Sequence, residues 1–182
     1  MKRLTFKSSI LFLVCVILMF AFCSCGGNMT DELVKAELER LLPLSYEMND
    51  IFWGCGLPYE SGPSSLKYVP VSDECEYKST EEILAKASEV FSDDYIKDIK
   101  AAVFTDTDDI DPRYIDTDGV LKIDITNKGF ENLKGNIDIS SAKIKKQDSR
   151  TVIVSAKYED GGDIEITLVL QNGKWHLDSA TY

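Results

Sequence analysis

The sequence is poor in histidine and in positive charge, and each shortage argues against a class of function. It has a single histidine, His176, so a metal centre with several histidine ligands is excluded. Its 31 acidic residues outnumber 20 basic ones, which gives a net charge of -11. Nucleic-acid binding depends on cationic contacts to phosphate and is therefore not expected. Five cysteines and five prolines are too few for a dense disulfide scaffold or a low-complexity linker.

The first 24 residues have the pattern of an export signal. A basic start precedes an apolar run, Ile10–Phe22, which is shorter than the roughly 20 residues that span a bilayer. The run leads into Ser24 and Cys25 and resembles a bacterial lipobox, in which the cysteine is lipidated and becomes the mature N-terminus. We therefore predict a lipoprotein signal peptide over 1–24, lipid on Cys25 and a short tether to residue 30. An uncleaved anchor helix and secretion without lipid are the alternatives.

Cleavage before Cys25 would leave a strongly acidic domain outside the cytoplasm. It would have 17 basic and 31 acidic residues, a net charge of -14. A surface with that net charge is repelled by anionic head groups, so the acyl chains would have to hold the protein at the membrane. Cys55 and Cys75 are then an even pair in an oxidising compartment, and they either bridge or remain two unpaired thiols.

Periodicity predicts an α+β fold in one domain, 31–182, with a helical part (31–104) and a sheet part (113–182). Apolar residues at helical spacing predict a helix over about 31–53, kinked at Pro43. Ser79 and Ser92 have the character of N-caps that open two further helices. Later segments alternate with period 2 and predict a curved antiparallel sheet that ends in a β-meander, with the helices packed on one face. Asn172-Gly173 predicts a two-residue hairpin turn.

The residues offer little catalytic chemistry, and neither a metal nor a cofactor is expected. Alternation places His176 on the opposite face of its strand from Trp175 and Leu177, the solvent side. The densest acidic cluster departs from the calcium-loop pattern, which leaves a solvated loop or a docking surface for a basic partner as its two interpretations. That cluster is the candidate partner-binding site and consists of Asp106, Asp108, Asp109 and Asp111.

Aromatic residues surround the glycines that follow the first predicted helix. Phe52, Trp53 and Tyr59 either pack at the end of that helix or form an aromatic ligand rim.

Two family resemblances bear on function. The ending Asn172-Gly173-Lys174-Trp175-His176-Leu177-Asp178 is similar to the closing hairpin of nuclear-transport-factor-2-like and cystatin-like domains, in which a curved sheet wraps a long helix. The segment Phe52–Tyr59, residues 68–83 and the same hairpin resemble the IseA-type DL-endopeptidase inhibitor family of Gram-positive bacteria. The second resemblance implies a non-catalytic protein that occludes the cysteine-peptidase cleft of cell-wall hydrolases.

These observations favour a lipid-anchored, extracytoplasmic binding module that is not an enzyme. Its expected partner is a basic protein, for which a cell-wall hydrolase is one candidate. The alternative is a small-ligand binder, or an enzyme, that uses the concave pocket such folds often contain. Polar residues in the concavity of the sheet would favour a pocket, whereas a concavity filled by apolar side chains would favour a binding module.

Overall fold

The computed structural model describes residues 28–62, 65–107, 111–130 and 136–182. The predicted signal peptide and Cys25 lie outside these ranges. Within them the helices are α1 (Asp31–Trp53), α2 (Thr80–Ala87) and α3 (Asp93–Val103). The strands are β1 (Tyr68–Pro70), β2 (Tyr114–Thr117), β3 (Val120–Asp124), β4 (Ile137–Gln147), β5 (Thr151–Tyr158), β6 (Asp163–Gln171) and β7 (Lys174–Leu177). No helix in the described ranges is both long enough and apolar enough to cross a membrane.

The strands form two antiparallel sheets, which confirms the predicted α+β class. One sheet has the order β1-β3-β2, and the other is the meander β4-β5-β6-β7. Strand β1 enters the first sheet by pairing Val69 with Ile123, although it lies between the first and second helices of the chain, far from its partner strand. Three residues are too short to show a period of their own, so its place depends on pairing with a strand about 55 residues away.

Two-residue turns connect β2 to β3 and β6 to β7. Asp118-Gly119 and Asn172-Gly173 occupy these turns, and Asp118 and Asn172 have positive φ values of 54° and 51°. Asparagine, aspartate and glycine tolerate this left-handed backbone better than other residues, and its twist matches that of the flanking strands. The predicted hairpin turn at Asn172-Gly173 is therefore confirmed.

Helix α1 packs along the meander and covers the outer edge of β4. The carboxylate of Asp31 accepts a hydrogen bond from the Ile144 amide at 2.9 Å, and the hydroxyl of Tyr46 accepts one from the Ile137 amide at 2.9 Å. Side chains of α1 thereby occupy backbone donors of a strand edge that would otherwise be open to another chain. The apolar face of α1 is buried in the core and includes Val34, Leu38, Leu41, Leu42, Met48 and Phe52.

Serine and threonine side chains begin all three of these helices, as the sequence indicated for α2 and α3. The hydroxyl of Ser79 accepts a hydrogen bond from the Glu82 amide at 3.2 Å, and that of Ser92 accepts one from the Tyr95 amide at 3.0 Å. In a capping box the Glu82 carboxylate would accept a hydrogen bond from the amide of Ser79. Here it accepts one from the amide of the preceding residue, Lys78, at 2.6 Å.

The last strand has the predicted register. Trp175 is 8% exposed and Leu177 is fully buried, whereas His176 between them is half-buried on the other face. Desolvation lowers the pKa of His176, and Arg40 nearby acts in the same direction. His176 therefore belongs to the outer face of the sheet, as alternation predicts.

Candidate partner-binding cleft

An acidic cleft of about 390 Å³ lies beside β2. It forms where the chain after α3 passes the end of the three-stranded sheet. Its acidic residues are Asp106, Asp111 and Asp116. The aromatic residues in the lining are Tyr68, Phe104 and Tyr114, and its other members are Thr80, Pro112 and Ile115. Among the described residues the lining of the cleft has no basic side chain, although Lys67 pairs with Asp111 at its border.

The structure brings two of the four predicted acids into this cleft. Asp106 and Asp111 both line it, while Asp108 and Asp109 lie outside the described residues. Asp116 is a third acid, which is ten positions from Asp106 in sequence and on a different element. Its carboxylate accepts hydrogen bonds from the amide (3.1 Å) and hydroxyl (2.5 Å) of Thr80 at the start of α2. Charge density along the sequence did not include Asp116 in the predicted cluster, because its proximity to the other acids depends on the fold.

The three acids differ in how much of their charge is already compensated. Asp111 forms an ion pair with Lys67, whose ammonium also lies 3.5 Å from the carboxylate of Asp124. This pairing with Asp111 raises the pKa of Lys67. Asp106 is exposed and has no ion-pair partner among the described residues. Asp106 is therefore the carboxylate in the cleft that is best placed to meet a cation from outside.

An aromatic wall supports the acids. The rings of Phe104 and Tyr114 stack with centroids 5.9 Å apart, and Tyr68 donates its hydroxyl proton to the Pro112 carbonyl at 2.7 Å. Burial raises the pKa of Tyr68, and its hydroxyl is a donor at neutral pH. Tyr114 is fully buried, and the Lys67 ammonium already lies 5.5 Å from the centroid of the Tyr68 ring. The partly exposed ring of Phe104 is therefore the part of the wall open to a partner. Carboxylates beside such a ring attract lysine and arginine side chains by charge and by cation–π contact.

The glycine-rich segment after α1 packs under this wall. The hydroxyl of Tyr114 donates to the Ile51 carbonyl at 2.8 Å and accepts from the Leu57 amide at 3.0 Å. Arg113, which is 3% exposed, donates to the Gly54 carbonyl at 2.6 Å. The last turn of α1 has no basic residue of its own, so Arg113 supplies the positive charge that favours a helix C-terminus.

The sequence left two interpretations for the aromatic residues of that segment, packing at the helix end or an aromatic ligand rim. Phe52 is 1% exposed and makes an edge contact to Phe104 at 5.9 Å, so it packs in the core. The rings of Trp53 and Tyr182 lie with their centroids 6.3 Å apart and their planes tilted by 38°. Tyr59 is 50% exposed and bridges to Val71 through its backbone. Packing at the helix end therefore accounts for Phe52 and Trp53.

The two cysteines of the domain are unpaired in the structure. Cys75 is buried in the core, whereas Cys55 is exposed just after the end of α1. The bridge considered between them is not formed here, because one thiol faces the core and the other faces solvent.

The chain enters the domain through a clasp between Met29 and Gln147. The Met29 amide donates to the side-chain oxygen of Gln147 at 2.9 Å, and the Gln147 side-chain amide donates to the Met29 carbonyl at 3.3 Å. Met29 is 8% exposed. Met29, which the sequence analysis assigned to the tether, is therefore packed beside the last residue of β4.

Comparison with known proteins does not place the chain in a family. No model of a known protein family matches the sequence, and no curated protein is significantly similar to it.

Proposed function

We propose that the protein is a membrane-anchored, extracytoplasmic lipoprotein that binds a basic protein partner and is not an enzyme. The observation that carries the proposal is the acidic cleft, in which uncompensated charge on Asp106 lies beside an aromatic wall. Such a surface suits lysine and arginine side chains of a partner. A cell-wall DL-endopeptidase, held in an inactive complex, is the partner class that the resemblance of the sequence suggests.

The packing of the meander supports a binding module over a small-ligand carrier. The face of the meander toward α1 is occupied by buried apolar side chains, among them Val152, Val154, Ile166, Leu168 and Leu177. They pack in one core cluster with the apolar face of α1. A small-ligand carrier of this fold class would need an open cavity between the meander and α1, and these side chains fill that space.

Removing charge from the cleft is expected to slow association with a basic partner. The variant Asp106→Asn/Asp111→Asn should reduce the association rate about tenfold at low salt, because long-range attraction steers charged partners together. Asp73→Asn/Asp160→Asn removes the same charge from exposed positions outside the cleft and is the matched control. Stopped-flow binding to a purified DL-endopeptidase, together with its hydrolysis of peptidoglycan, measures both association and inhibition.

The wild-type rate should also fall as salt rises from 0.05 M to 0.5 M, since screening shortens the reach of the charges. Equal rates for both variants and the wild type at every salt concentration would remove the cleft from the binding site. An endopeptidase that remains fully active and unbound at saturating protein would refute this partner class.

Replacing Cys25 with serine is expected to separate the protein from the membrane. Without the thiol no acyl chain can be attached, so Cys25→Ser should leave either a soluble protein or an unprocessed precursor. Fractionation and intact mass spectrometry distinguish these results, with Cys55→Ser as the matched control. A wild-type protein whose mass includes no lipid would contradict the proposed anchor.

A further inference from the structure

The negative charge is distributed unevenly across the domain, in a way that bears on its contact with the membrane. Residues 28–135 contain 24 acidic and 11 basic residues, whereas residues 136–182, which include the whole meander, contain seven and six. Nearly all of the negative charge therefore belongs to the part that holds the helices and the acidic cleft. The meander is close to neutral.

Three of the six cations of the meander lie at one of its ends. In an antiparallel meander the β4–β5 and β6–β7 turns lie at the same end, and the β5–β6 turn lies at the other. The first end has the exposed side chains of Lys146, Arg150 and Lys174. Lys145 lies further along β4 and pairs with Glu165. The opposite turn is acidic and includes Glu159, Asp160 and Asp163, with Lys157 as its one neighbouring cation among the described residues.

Three acidic residues, Asp31, Asp93 and Asp148, also lie at this end, and hydrogen bonds from amides orient a carboxylate without removing its charge. Asp148 accepts hydrogen bonds from the amides of Arg150 and Thr151, both at 2.8 Å, which lower its pKa. Asp31 accepts one from the Ile144 amide. The backbone amide of Asp93 donates to the Gln171 side chain at 3.1 Å, and its neighbour Asp94 pairs with Lys97. Lys146, Arg150 and Lys174 have no ion-pair partner among the described residues, so they are available to external anions.

The clasp puts this same end next to the membrane anchor. Met29 is fixed to Gln147, one residue from the β4–β5 turn. Six residues, 23–28, separate it from the end of the apolar run at Phe22, and at about 3.4 Å per residue a segment of that length spans at most about 20 Å. With lipid on Cys25 the distance is shorter, so either mode of anchoring holds the β4–β5 turn close to the bilayer.

We propose that the end of the meander formed by the β4–β5 and β6–β7 turns docks on anionic lipid head groups through Lys146, Arg150 and Lys174. This inference rests on the N-terminal anchor of the proposed function. Each lysine or arginine near an anionic bilayer is attracted to it, and the opposite, acidic turn is repelled, so both effects favour one orientation. The acidic part of the domain then remains available to a protein partner.

Fluorescence energy transfer on the full-length lipoprotein in vesicles tests this orientation. In a Cys55→Ser background, a dye at Ser149→Cys marks the cationic end and a dye at Ser140→Cys marks the opposite part of β4. Nine residues at about 3.3 Å each place the two positions up to about 30 Å apart. With an acceptor on the lipid head groups and 30% anionic lipid, transfer should be at least twofold higher from position 149.

Salt and charge variants separate electrostatic docking from the tether alone. Salt at 0.5 M, neutral vesicles or the variant Lys146→Ser/Arg150→Ser/Lys174→Ser should reduce the difference in transfer by half or more. The matched control Lys100→Ser/Lys122→Ser/Lys157→Ser loses the same charge elsewhere and should retain it. Equal transfer from both positions, or the same loss in the control, would overturn the docking proposal while leaving the anchor intact. Protein that does not remain with the vesicles would overturn the anchor and, with it, the orientation.

Discussion

Replacement of Trp175 by alanine is expected to destabilise the domain by about 3–5 kcal/mol, the usual cost of truncating a buried tryptophan. Trp175 is 8% exposed and its strand neighbour Leu177 is fully buried, so the truncation would leave a cavity under the closing hairpin. A loss of this size is comparable to the whole stability of many domains. Urea unfolding followed by circular dichroism would show a much lower midpoint or no folded baseline.

His176→Ala is the control from the same strand. Its side chain lies on the outer face, and its ring nitrogen contacts the Lys174 carbonyl at 3.1 Å. We expect its free energy of unfolding to stay within about 0.5 kcal/mol of the wild type, as for ordinary surface substitutions. Similar losses in both variants would show that the register of β7 is wrong.

Tyr114→Phe is expected to cost about 2–6 kcal/mol although it removes a single oxygen atom. The hydroxyl of Tyr114 connects the Ile51 carbonyl and the Leu57 amide, and Tyr114 is fully buried. Its loss leaves one buried acceptor and one buried donor without a partner, and each such group costs about 1–3 kcal/mol. Chemical denaturation measures the change in free energy.

Tyr68→Phe is the matched control for this substitution. Its hydroxyl makes one hydrogen bond, to the Pro112 carbonyl, in a partly buried position that water can reach. A loss of about 0.5–1.5 kcal/mol is expected. If Tyr114→Phe costs no more than Tyr68→Phe, the hydroxyl of Tyr114 does not hold the segment after α1 in place.

Local signals in the sequence were sufficient for most of the secondary structure. The caps Ser79 and Ser92, the turn at Asn172-Gly173 and the alternation around Trp175 each act over a few residues, so they can be recognised without knowing the fold. The place of β1 could not be predicted in this way. Its position depends on pairing between Val69 and Ile123, which is a long-range contact.

The candidate site was predictable only in part, for the same physical reason. Charge density along the chain marked Asp106 and Asp111, but their surroundings come from other elements. Asp116 joins them from β2, and Lys67 neutralises Asp111 from the segment before β1. Compensation of charge is a property of three-dimensional proximity, so the sequence alone could not rank Asp106 above Asp111.

The order in which the chain is synthesised has a consequence for folding. In the interior, the hydroxyl of Thr181 accepts a hydrogen bond from the Asn49 side-chain amide at 2.8 Å and lies 3.1 Å from the Ser45 hydroxyl. Ser45 and Asn49 belong to the first helix of the domain and Thr181 to its last residues, more than 130 positions later. The entropic cost of closing a loop grows with its length, and such long-range contacts form late in folding. Until Thr181 arrives, the Asn49 side-chain amide lacks this acceptor, whereas the Ser45 hydroxyl can still donate to the Leu42 carbonyl within α1 at 2.9 Å. The domain can therefore complete its core only after synthesis has delivered residue 181.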